Sequence, residues 1–430
     1  MRADWIEVEL DEVCQINMGQ SPPSSTYNEE GNGLPFFQGK AEFTNLHPKV
    51  VKWCTDPKKI AEKGDILISV RAPVGSTNIA DQKCAIGRGL AAITFPFGNG
   101  YLWYYLQLIE KKLDSLGTGT TFKAISGKIL RSQKLPLPPL PEQRAIVARI
   151  EEQFSELDHA VSSLQAAQAK LDIYRQAVLK KAFEGGFTSG ENWKFVELNS
   201  VSEKIQDGSH FSPKLKLDKR ESGFYPYVTS KNIRNGFLEL DNLEFVDKDF
   251  HDSIFNRCDP RKGDLLLTKD GVNTGNVAIN TFEEPISLLS SVCLIRPKVE
   301  FLSVSFLMYF IQSPTGFRNM TGEMTGTAIK RIILKKIKQT KIPLPPIQEQ
   351  TQIVQEIESR LSVADKLAET ILTSLQKAEA LRQSILKKAF EGRLLSDAEV
   401  EACRKEADWE PVEKLLERIK QEKRKKEIFT

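Results

Sequence analysis

The chain lacks the features that mark a secreted, membrane-spanning or disulfide-bonded protein. No run of about 18 apolar residues occurs in its 430 residues, and its start has no apolar core of signal-peptide length. The six cysteines are scattered, and the closest pair, Cys54 and Cys84, lies 30 positions apart. Such spacing fits neither a zinc site nor a disulfide framework. We therefore expect a cytoplasmic protein with reduced thiols and no membrane partner.

Catalytic signatures are missing as well. The four histidines form neither HExxH nor another metal-binding spacing. No GxxxxGK[ST] phosphate-binding loop occurs, since the glycine-rich residues 185–190 are followed by Glu191 and Asn192. An Asn/Asp-Pro-Pro-aromatic tetrapeptide of the kind found in amino-methyltransferases is also missing. Together these absences favour a recognition protein over an enzyme, with no catalytic residue and no metal site.

The strongest positive feature is a gapless repeat of 52 residues. Residues 134–185 and 341–392 align at a constant offset of 207, and 23 of the 52 aligned positions are identical. This spacing is far longer than the roughly 20–50 residues of a solenoid repeat, so it indicates a duplicated two-part unit. The sequences between the copies are much less alike. The chain therefore consists of a constant frame and two variable modules.

Each repeat begins with a proline run and continues as a predicted long helix. The runs at 136–141 and 343–346 predict stiff, extended exits from the modules, because proline fixes φ and keeps the preceding residue out of the helical region. A polyproline ligand for a partner domain is the alternative. Apolar residues then recur at intervals of four and three, the spacing of a coiled-coil seam. The predicted seams are Ile146, Ile150, Phe154, Leu157, Val161, Leu164, Gln168 and Leu171, and Ile353, Ile357, Leu361, Ala364, Ala368, Ile371, Leu375 and Ala378.

These narrow seams predict one antiparallel pair of helices within the chain. A helix of about 42 residues is roughly 60 Å long, and a single helix cannot bury a seam of this kind by itself. Homodimerisation through the same seams is the alternative. An antiparallel pair would relate the two modules by an approximate twofold axis, which suits the reading of two half-sites on duplex DNA.

The predicted fold is therefore α+β, with two mixed α/β modules separated by two long helices. Both modules begin alike, with WIEVEL at residues 5–10 and WKFVEL at residues 193–198. The predicted segments are a first module (1–140), a first long helix (141–186), a second module (187–346), a second long helix (347–392) and a helical tail (393–430).

Basic residues cluster where each module meets its repeat. Residues 117–134 contain four lysines and arginines and residues 325–341 contain six, and neither segment has an acidic residue, although the net charge of the chain is only +3. The recurrence favours contact with a phosphate backbone. A solvated basic face is the alternative.

Two further pairs of segments match between the modules. GDILISVRAPVG at 64–75 and GDLLLTKDGVNTG at 263–275 predict a buried strand that delivers Arg71, or Lys269 and Asp270, into a loop. GTTFK at 119–123 and GTAIK at 326–330 place glycine and hydroxyl residues beside a lysine, which suits close approach to phosphates. A tight turn that caps a helix is the alternative for each loop.

The doubled PLPPxxEQ motif, followed by a long helix that ends in RQxxLKKAFEG, closely resembles the specificity subunits of Type I restriction–modification systems. The resemblance covers nearly the whole chain. It implies a non-catalytic subunit whose two target recognition domains each read one half of a bipartite site in double-stranded DNA. It also implies that the helices dock two adenine-specific methyltransferase subunits, and that a restriction (motor) subunit joins for cleavage. The partners would use S-adenosylmethionine, and ATP with magnesium, while this chain would hold no cofactor.

The resemblance further implies DNA-binding residues on the matched loops. Arginine and lysine suit guanine, and asparagine and glutamine suit adenine. In the first module these residues are Gln38, Lys40, Arg71, Thr118, Thr120, Thr121 and Lys123. In the second they are Ser230, Lys231, Asn232, Arg234, Lys269, Asp270, Asn273, Thr274, Thr327 and Lys330. We expect Lys330 to contact phosphate and Asn232 to contact a base. FFQGKAEF stands where the second module has YVTSKNIRNG, which predicts different half-sites.

Two other functions are compatible with the sequence. A coiled-coil scaffold whose end modules bind proteins would use the basic segments only for solubility. A specificity subunit that serves a methylation-only complex would lack the restriction partner. The tail resembles the end of many family members, and its amphipathic spacing predicts a docking helix, with a frayed surface helix as the alternative.

Overall fold

The structure, a computed structural model, describes residues 2–119, 123–188, 193–322 and 331–428. The chain forms two compact units, which we call unit 1 (Met1–Ser163 with Ser374–Thr430) and unit 2 (Leu164–Thr373). Each long helix contributes one part to either unit. The five-segment division remains a prediction about which parts act as domains.

The first module is built from short strands and four short helices. Its strands are β1 (Ile6–Glu9), β2 (Gln15–Met18), β3 (Tyr27–Asn28), β4 (Leu34–Phe37), β5 (Trp53–Cys54), β6 (Ile60–Ala61), β7 (Ile66–Ser69), β8 (Thr77–Ile79), β9 (Cys84–Ile86), β10 (Leu90–Thr94) and β11 (Lys134–Leu137). Its helices are α1 (Leu10–Val13), α2 (Asn99–Leu108), α3 (Glu110–Ser115) and α4 (Gly127–Arg131), and the first long helix, α5 (Leu140–Phe183), follows.

The second module follows a similar plan, but its central part contains a helix and fewer strands. Its strands are β12 (Lys194–Glu197), β13 (Ser202–Asp207), β14 (Phe224–Val228), β15 (Glu244–Asp247), β16 (Leu265–Thr268), β17 (Val277–Ile279), β18 (Ser287–Leu288), β19 (Val292–Pro297) and β20 (Lys341–Leu344). Its helices are α6 (Lys248–Cys258), α7 (Val304–Gln312), α8 (Pro314–Thr321) and α9 (Leu334–Lys338). The second long helix α10 (Ile347–Phe390) and the tail helices α11 (Asp397–Cys403) and α12 (Val412–Ile428) follow.

The two modules share the strand order of their four-stranded sheet, whereas their other sheet has five strands in the first module and three in the second. Their four-stranded sheets have the orders β2-β10-β7-β8 and β13-β19-β16-β17, and β4 pairs with β9 in parallel as β14 pairs with β18. The predicted strands of the two GD segments are β7 and β16. All four residues of each are buried, so both read as continuous apolar runs rather than alternating ones. The duplication therefore extends from the helices to the modules.

The proline runs are part of the modules. Residues 134–137 form β11, which pairs antiparallel with β1, and β20 pairs with β12 in the same way. Leu135 and Leu137 are fully buried. The extended conformation is confirmed for residues 136–137 and 343–344, which pair within a sheet, whereas Leu140 and Pro141 already belong to α5.

The glutamate and glutamine of the PLPPxxEQ motif fasten each long helix to its module. The indole Nε1 of Trp5 donates to Glu142 at 2.9 Å, and that of Trp193 donates to Glu349 at 2.9 Å. The next residue, Gln143 or Gln350, donates its Nε2 to a proline carbonyl five residues upstream, again at 2.9 Å. These repeated hydrogen bonds explain why both the tryptophan and the motif occur twice.

Both long helices contain 44 residues, close to the predicted length. The second predicted seam is buried or half-buried at all eight positions. The first is buried or half-buried except at Gln168, which is exposed, while Ala167 is half-buried instead. The prediction for Gln168 was therefore wrong, and the seam passes through Ala167 at this turn of the helix.

Within each unit, the two helix parts run antiparallel. In unit 1 the Arg382 guanidinium lies 4.2 Å from the Phe154 ring centroid, and Ile146 lines a small cavity together with Ala389. In unit 2 the Arg175 guanidinium pairs with Asp365 at 2.6 Å. The predicted intramolecular antiparallel pair is thus confirmed by contacts inside each unit.

The tail packs on the first module within unit 1. Leu415 and Ile419 of α12 are fully buried in the same hydrophobic core as Leu10 of α1. Lys420 pairs with Glu12 at 2.9 Å, and Arg418 lies 4.5 Å from the Phe97 ring centroid. The tail is therefore a docked element of this chain and not a frayed surface helix.

Candidate nucleic-acid interface

In the first module, three of the predicted residues line one concave surface. Gln38, Lys40 and Arg71 are exposed around an open cavity of about 670 Å³, which Arg88 and Ser21 also line. Arg71 follows β7 by two residues, while Gln38 follows β4 by one. The strand ends of two sheets thus bring guanidinium, ammonium and amide donors to one open surface.

Sequence reasoning missed Arg88. The signal was present, because Arg88 stands between Gly87 and Gly89 in a turn directly after the strand β9. The Ser21 hydroxyl accepts a hydrogen bond from the Arg88 backbone N–H at 3.2 Å and so joins two loops of the cavity.

Thr118 and Lys123 lie on a loop that is joined to Arg71. Ala124 forms antiparallel bridges with both Arg71 and Thr118, and the N–H of Ala72 donates to the Lys123 carbonyl at 2.9 Å. Both predicted side chains are exposed, and Lys123 pairs with Asp114 at 3.0 Å. Hydrogen bonding to Lys123 holds the pKa of Asp114 below its usual value. Thr120 and Thr121 lie outside the described residues.

The basic segment of the first module is largely neutralised by acids from elsewhere in the fold. Besides Lys123, Arg131 pairs with Asp11 at 3.4 Å and Lys134 pairs with Glu9 at 3.0 Å. The sequence segment contains no acid, but β1 and α1 supply them.

The corresponding segment of the second module differs. Among the residues that the structure describes, Lys335, Lys336 and Lys338 of α9 form no ion pair with a carboxylate. Lys335 and Lys338 instead line an open cavity of about 460 Å³ together with Asn199 and Glu197. This face is the better candidate for phosphate contact.

In the second module, two predicted loops are hydrogen-bonded to each other. The Asn273 Nδ2 donates to the carbonyl of Ser230 at 3.1 Å, and the N–H of Gly236 donates to the Val277 carbonyl at 2.9 Å. Lys231 is exposed on this pair of loops, and Arg234 is half-buried, donating to the Lys231 carbonyl at 2.8 Å. The structure thus brings the residues of both predicted loops together.

Asn232 is not available for the predicted contact with a base. Its side chain is buried, and its Oδ1 accepts from the backbone N–H and the hydroxyl of Thr229 at 3.0 and 3.1 Å. Its Nδ2 donates to the carbonyls of Glu239 and Asn242 at 3.3 and 3.4 Å. These bonds use the full capacity of the amide, so Asn232 fixes the shape of the loop.

Lys269 and Thr274 are likewise buried rather than presented to a ligand. The Lys269 ammonium lies 2.8 Å from the carboxylate of Asp207, and the Thr274 hydroxyl donates to the Gly271 carbonyl at 2.6 Å. Burial alone would raise the pKa of Asp207, but the hydrogen bond and charge of Lys269 outweigh it, and the pKa is lowered. Lys269 therefore belongs to an internal ion pair.

Asp270 is half-buried and pairs with Arg331, which was not among the predicted DNA-binding residues. Its Oδ1 lies 3.1 Å from the Nε of Arg331, which is exposed. Arg331 stands directly after the matched GTAIK segment, so its basic position was visible, but its partner across the fold was not. Thr327 and Lys330 lie outside the described residues.

Two wider searches cover the described part of the chain. No group of three or more histidine, cysteine, aspartate or glutamate side chains there could hold a metal ion. No helix over those residues is both long and apolar enough to cross a membrane.

Comparison with known proteins identifies the family. The family model described as Type I restriction modification DNA specificity domain matches residues 2–162 and 190–377. The chain therefore belongs to the family of DNA specificity subunits of type I restriction–modification systems, and the predicted resemblance is confirmed.

Individual relatives agree with this assignment. The specificity subunit of the EcoBI enzyme of Escherichia coli is 22% identical over 97% of this chain and 92% of its own length. The specificity subunit of EcoKI from E. coli strain K12 is 28% identical over 76% of this chain and 72% of its own length. A putative MjaX specificity subunit of Methanocaldococcus jannaschii is 53% identical, but the match spans only 34% of this chain and 36% of that relative.

A solved structure supports the fold. A chain from work on complex assembly and conformational transition of the type I R-M system superposes with a TM-score of 0.72. It is 20% identical to this chain, and the match covers 92% of this chain and 99% of the solved one. The arrangement of two α/β modules with two long helices is therefore shared.

Proposed function

We propose that this chain reads a bipartite site in double-stranded DNA, with one module for each half-site. The observation that carries the proposal is the strand order that the modules share, in which the same strand ends support exposed polar loops. In the first module, Gln38, Lys40, Arg71 and Arg88 surround one open cavity. In the second, the loops of Lys231 and Asn273 are bonded to each other. Donor-rich side chains on such loops suit the edges of bases in the major groove.

The two kinds of DNA contact are assigned to different residues. Arg71, Gln38 and Arg88 have the fork-shaped donors or amides that discriminate between bases. The unpaired lysines of α9 suit phosphates, which require charge but no particular geometry. The half-sites differ because the modules place different residues at equivalent loop positions, such as Arg71 and Asp270.

The same proposal assigns the chemistry to partner subunits. This chain would carry no catalytic residue and no cofactor, and would dock two adenine methyltransferase subunits that use S-adenosylmethionine. Each subunit would flip its target adenine out of the duplex to reach the amino group. A restriction subunit that uses ATP with magnesium would join for cleavage, and the complex would act on DNA in the cytoplasm.

The test is single-molecule sequencing of genomic DNA from cells that express this chain with its methyltransferase partner. We expect methyladenine at a split motif, with one mark on each strand. Marks at an uninterrupted motif would contradict the assignment of one half-site to each module. No new marks, with the partner active and bound, would support a protein-binding scaffold instead. Adding the candidate restriction subunit and measuring cleavage of unmodified DNA distinguishes a restriction complex from a methylation-only complex.

A further inference from the structure

The loops that follow the buried strands β7 and β16 carry one equivalent β-bridge each. In the first module the bridge joins Arg71 to Ala124, and in the second it joins Asp270 to Arg331. Arg71 and Asp270 both stand two residues after their strand. Ala124 and Arg331 are 207 positions apart, which is the offset of the sequence repeat. The two bridges therefore occupy the same place in the fold.

Each bridge carries one arginine, but on opposite sides. In the first module the arginine follows the buried strand and faces alanine across the bridge, whereas in the second it lies on the partner loop and faces aspartate. Arg331 is 58% exposed, so its head group is accessible to a ligand. We propose that Arg331 is the second module's counterpart of Arg71, a specificity-determining residue that contacts a base of the second half-site. The proposal deepens the proposed function and rests on it.

Asp270 acts as the positioning residue for Arg331. It approaches the guanidinium through Nε, and no described residue accepts a hydrogen bond from the two terminal nitrogens. With respect to the described residues, those nitrogens are open to two parallel hydrogen bonds, as in the arginine–guanine pair. Ion pairing through Nε restricts the head group, so less rotational freedom is lost on binding DNA.

A buried ion pair in turn holds Asp270. The Lys269 ammonium lies 2.8 Å from Asp207 and 3.9 Å from Asp270, so the carboxylate of Asp270 has a cation on either side. Asp207 and Lys269 are both buried. The result is a chain of four alternating charges that leads from the core to the exposed guanidinium.

The first module lacks this chain of charges. The positions equivalent to Asp207 and Lys269 hold Met18, at the end of β2, and Val70, directly after β7. An arginine that follows its own strand needs no second strand to place it, so apolar packing suffices there. In the second module, Asp207 and Lys269 support an arginine that lies on the partner loop.

The experiment maps methylation for single variants of the full chain, each co-expressed with the same methyltransferase partner. Arg331→Gln is expected to relax one base position of one half-site, with a loss of discrimination of roughly 5- to 150-fold there. Arg71→Gln is expected to affect the other half-site, which assigns the halves to the modules. Asp270→Asn is expected to weaken the same position as Arg331→Gln, and the double variant to be no worse than Arg331→Gln alone.

Arg261→Gln is the matched control. Arg261 is 64% exposed and pairs with Asp259 at 2.6 Å, but it precedes β16, at the opposite end of the strand from Asp270. This control is expected to leave both half-sites unchanged, and thermal unfolding checks that every variant is folded.

Three results are informative. An unchanged motif for folded Arg331→Gln overturns the proposal. DNA-binding titrations of the same variant at several salt concentrations are measured as well, and uniformly weaker binding of all sequences, with a salt slope lower by about 1, also overturns the proposal, because that behaviour identifies a phosphate contact. A wild-type motif that is not bipartite instead counts against the proposed function, and it is seen before any variant is compared.

Discussion

Buried polar side chains in the second module determine the shape of its loops and so influence DNA recognition indirectly. Asn232 satisfies all four of its hydrogen-bonding positions inside one loop. Lys269 is paired with Asp207 beneath the loop that follows β16. Such groups are costly to bury unless each is paired, and removing one partner leaves the other unsatisfied. Replacing them should therefore affect folding of the loop before it affects base preference.

Asn232→Ala is expected to lower the free energy of unfolding by roughly 1–3 kcal/mol, because buried backbone groups of the loop lose their partners. The methylated motif should stay the same while its methylation becomes less complete. Urea denaturation and methylome mapping measure the two effects. Lys231→Ala, one residue away and exposed, is the control and should leave stability unchanged. A changed motif with full stability for Asn232→Ala would show that the side chain reads DNA after all.

Glu142 makes the stability of unit 1 depend on pH. Burial raises the pKa of this carboxyl above its usual value, although the hydrogen bond from Trp5 lowers the pKa. Because the pKa of Glu142 is higher in the folded than in the unfolded chain, its contribution to stability is complete at a pH below its unfolded-state pKa. That contribution is lost as the pH rises through its folded-state pKa. The ionised carboxylate is therefore unfavourable at neutral pH.

Glu142→Gln keeps an acceptor for Trp5 and removes the charge, so we expect a higher unfolding midpoint than wild type at pH 7. The difference should shrink as the pH falls towards 4, where the wild-type carboxyl is protonated. Thermal unfolding over this pH range measures it. Glu349→Gln serves as the control, because Glu349 accepts from both Trp193 and Thr188 and should lose stability instead. A lower midpoint at pH 7 for Glu142→Gln would contradict the prediction.

At the scale of elements, the end of each long helix completes the core of a unit. Phe183 packs against Phe306 and Phe310 in unit 2, with ring centroids 5.2 and 5.3 Å apart. Phe390 packs against Tyr101 and Tyr105 in unit 1, at 5.0 and 5.1 Å. The repeated AFEG ending is therefore a packing motif. The copy at the end of α5 packs on the second module, and the copy at the end of α10 packs on the first.

Phe183→Ala is expected to destabilise unit 2, and Phe390→Ala to destabilise unit 1, each by roughly 3–5 kcal/mol, because a buried ring leaves a cavity. Hydrogen exchange with mass spectrometry localises the loss. Protection should fall in residues 164–373 for the first variant and in the remaining residues for the second. The two variants serve as controls for each other, and equal loss in both units for either one would argue against separate cores.

The helices were the most predictable elements, because a long apolar period is a local property of the sequence. Fifteen of the sixteen predicted seam positions are buried or half-buried. Gln168 is the exception, because the apolar period alone does not decide whether residue 167 or residue 168 lies in the seam. The burial of Lys269 was not predictable, since it depends on Asp207, which stands 62 positions away and whose proximity in space the sequence does not reveal. The same holds for the carboxylates that neutralise Arg131 and Lys134.

On the scale of the whole molecule, the basic surplus is distributed unevenly between the two units. Arg131 in unit 1 pairs with Asp11, whereas its equivalent in unit 2, Lys338, has Asn199 at the position of the aspartate and forms no ion pair among the described residues. A net charge of only +3 thus conceals one module whose α9 lysines pair with no described carboxylate and one whose basic segment is largely paired.

Lys338→Ala is expected to reduce the slope of log binding constant against log salt by about 0.9, the value for one lost phosphate contact. Arg131→Ala should leave the slope unchanged, because that side chain is already paired. Titrations of the assembled complex with its DNA site at several salt concentrations measure both. Equal changes in slope for the two variants would show that pairing with Asp11 does not withhold Arg131 from phosphate.

The division of the chain into units also has a consequence for its synthesis on the ribosome. Unit 2 is a continuous stretch, but unit 1 needs residues 374–430, which are made after the whole of unit 2. At about 5–20 residues per second, some tens of seconds pass between the emergence of the first module and the arrival of Phe390 and α12. During that interval Tyr101 and Tyr105 lack the partner that covers them in the finished protein. The core of the first module is therefore completed only after the whole of unit 2 has been made.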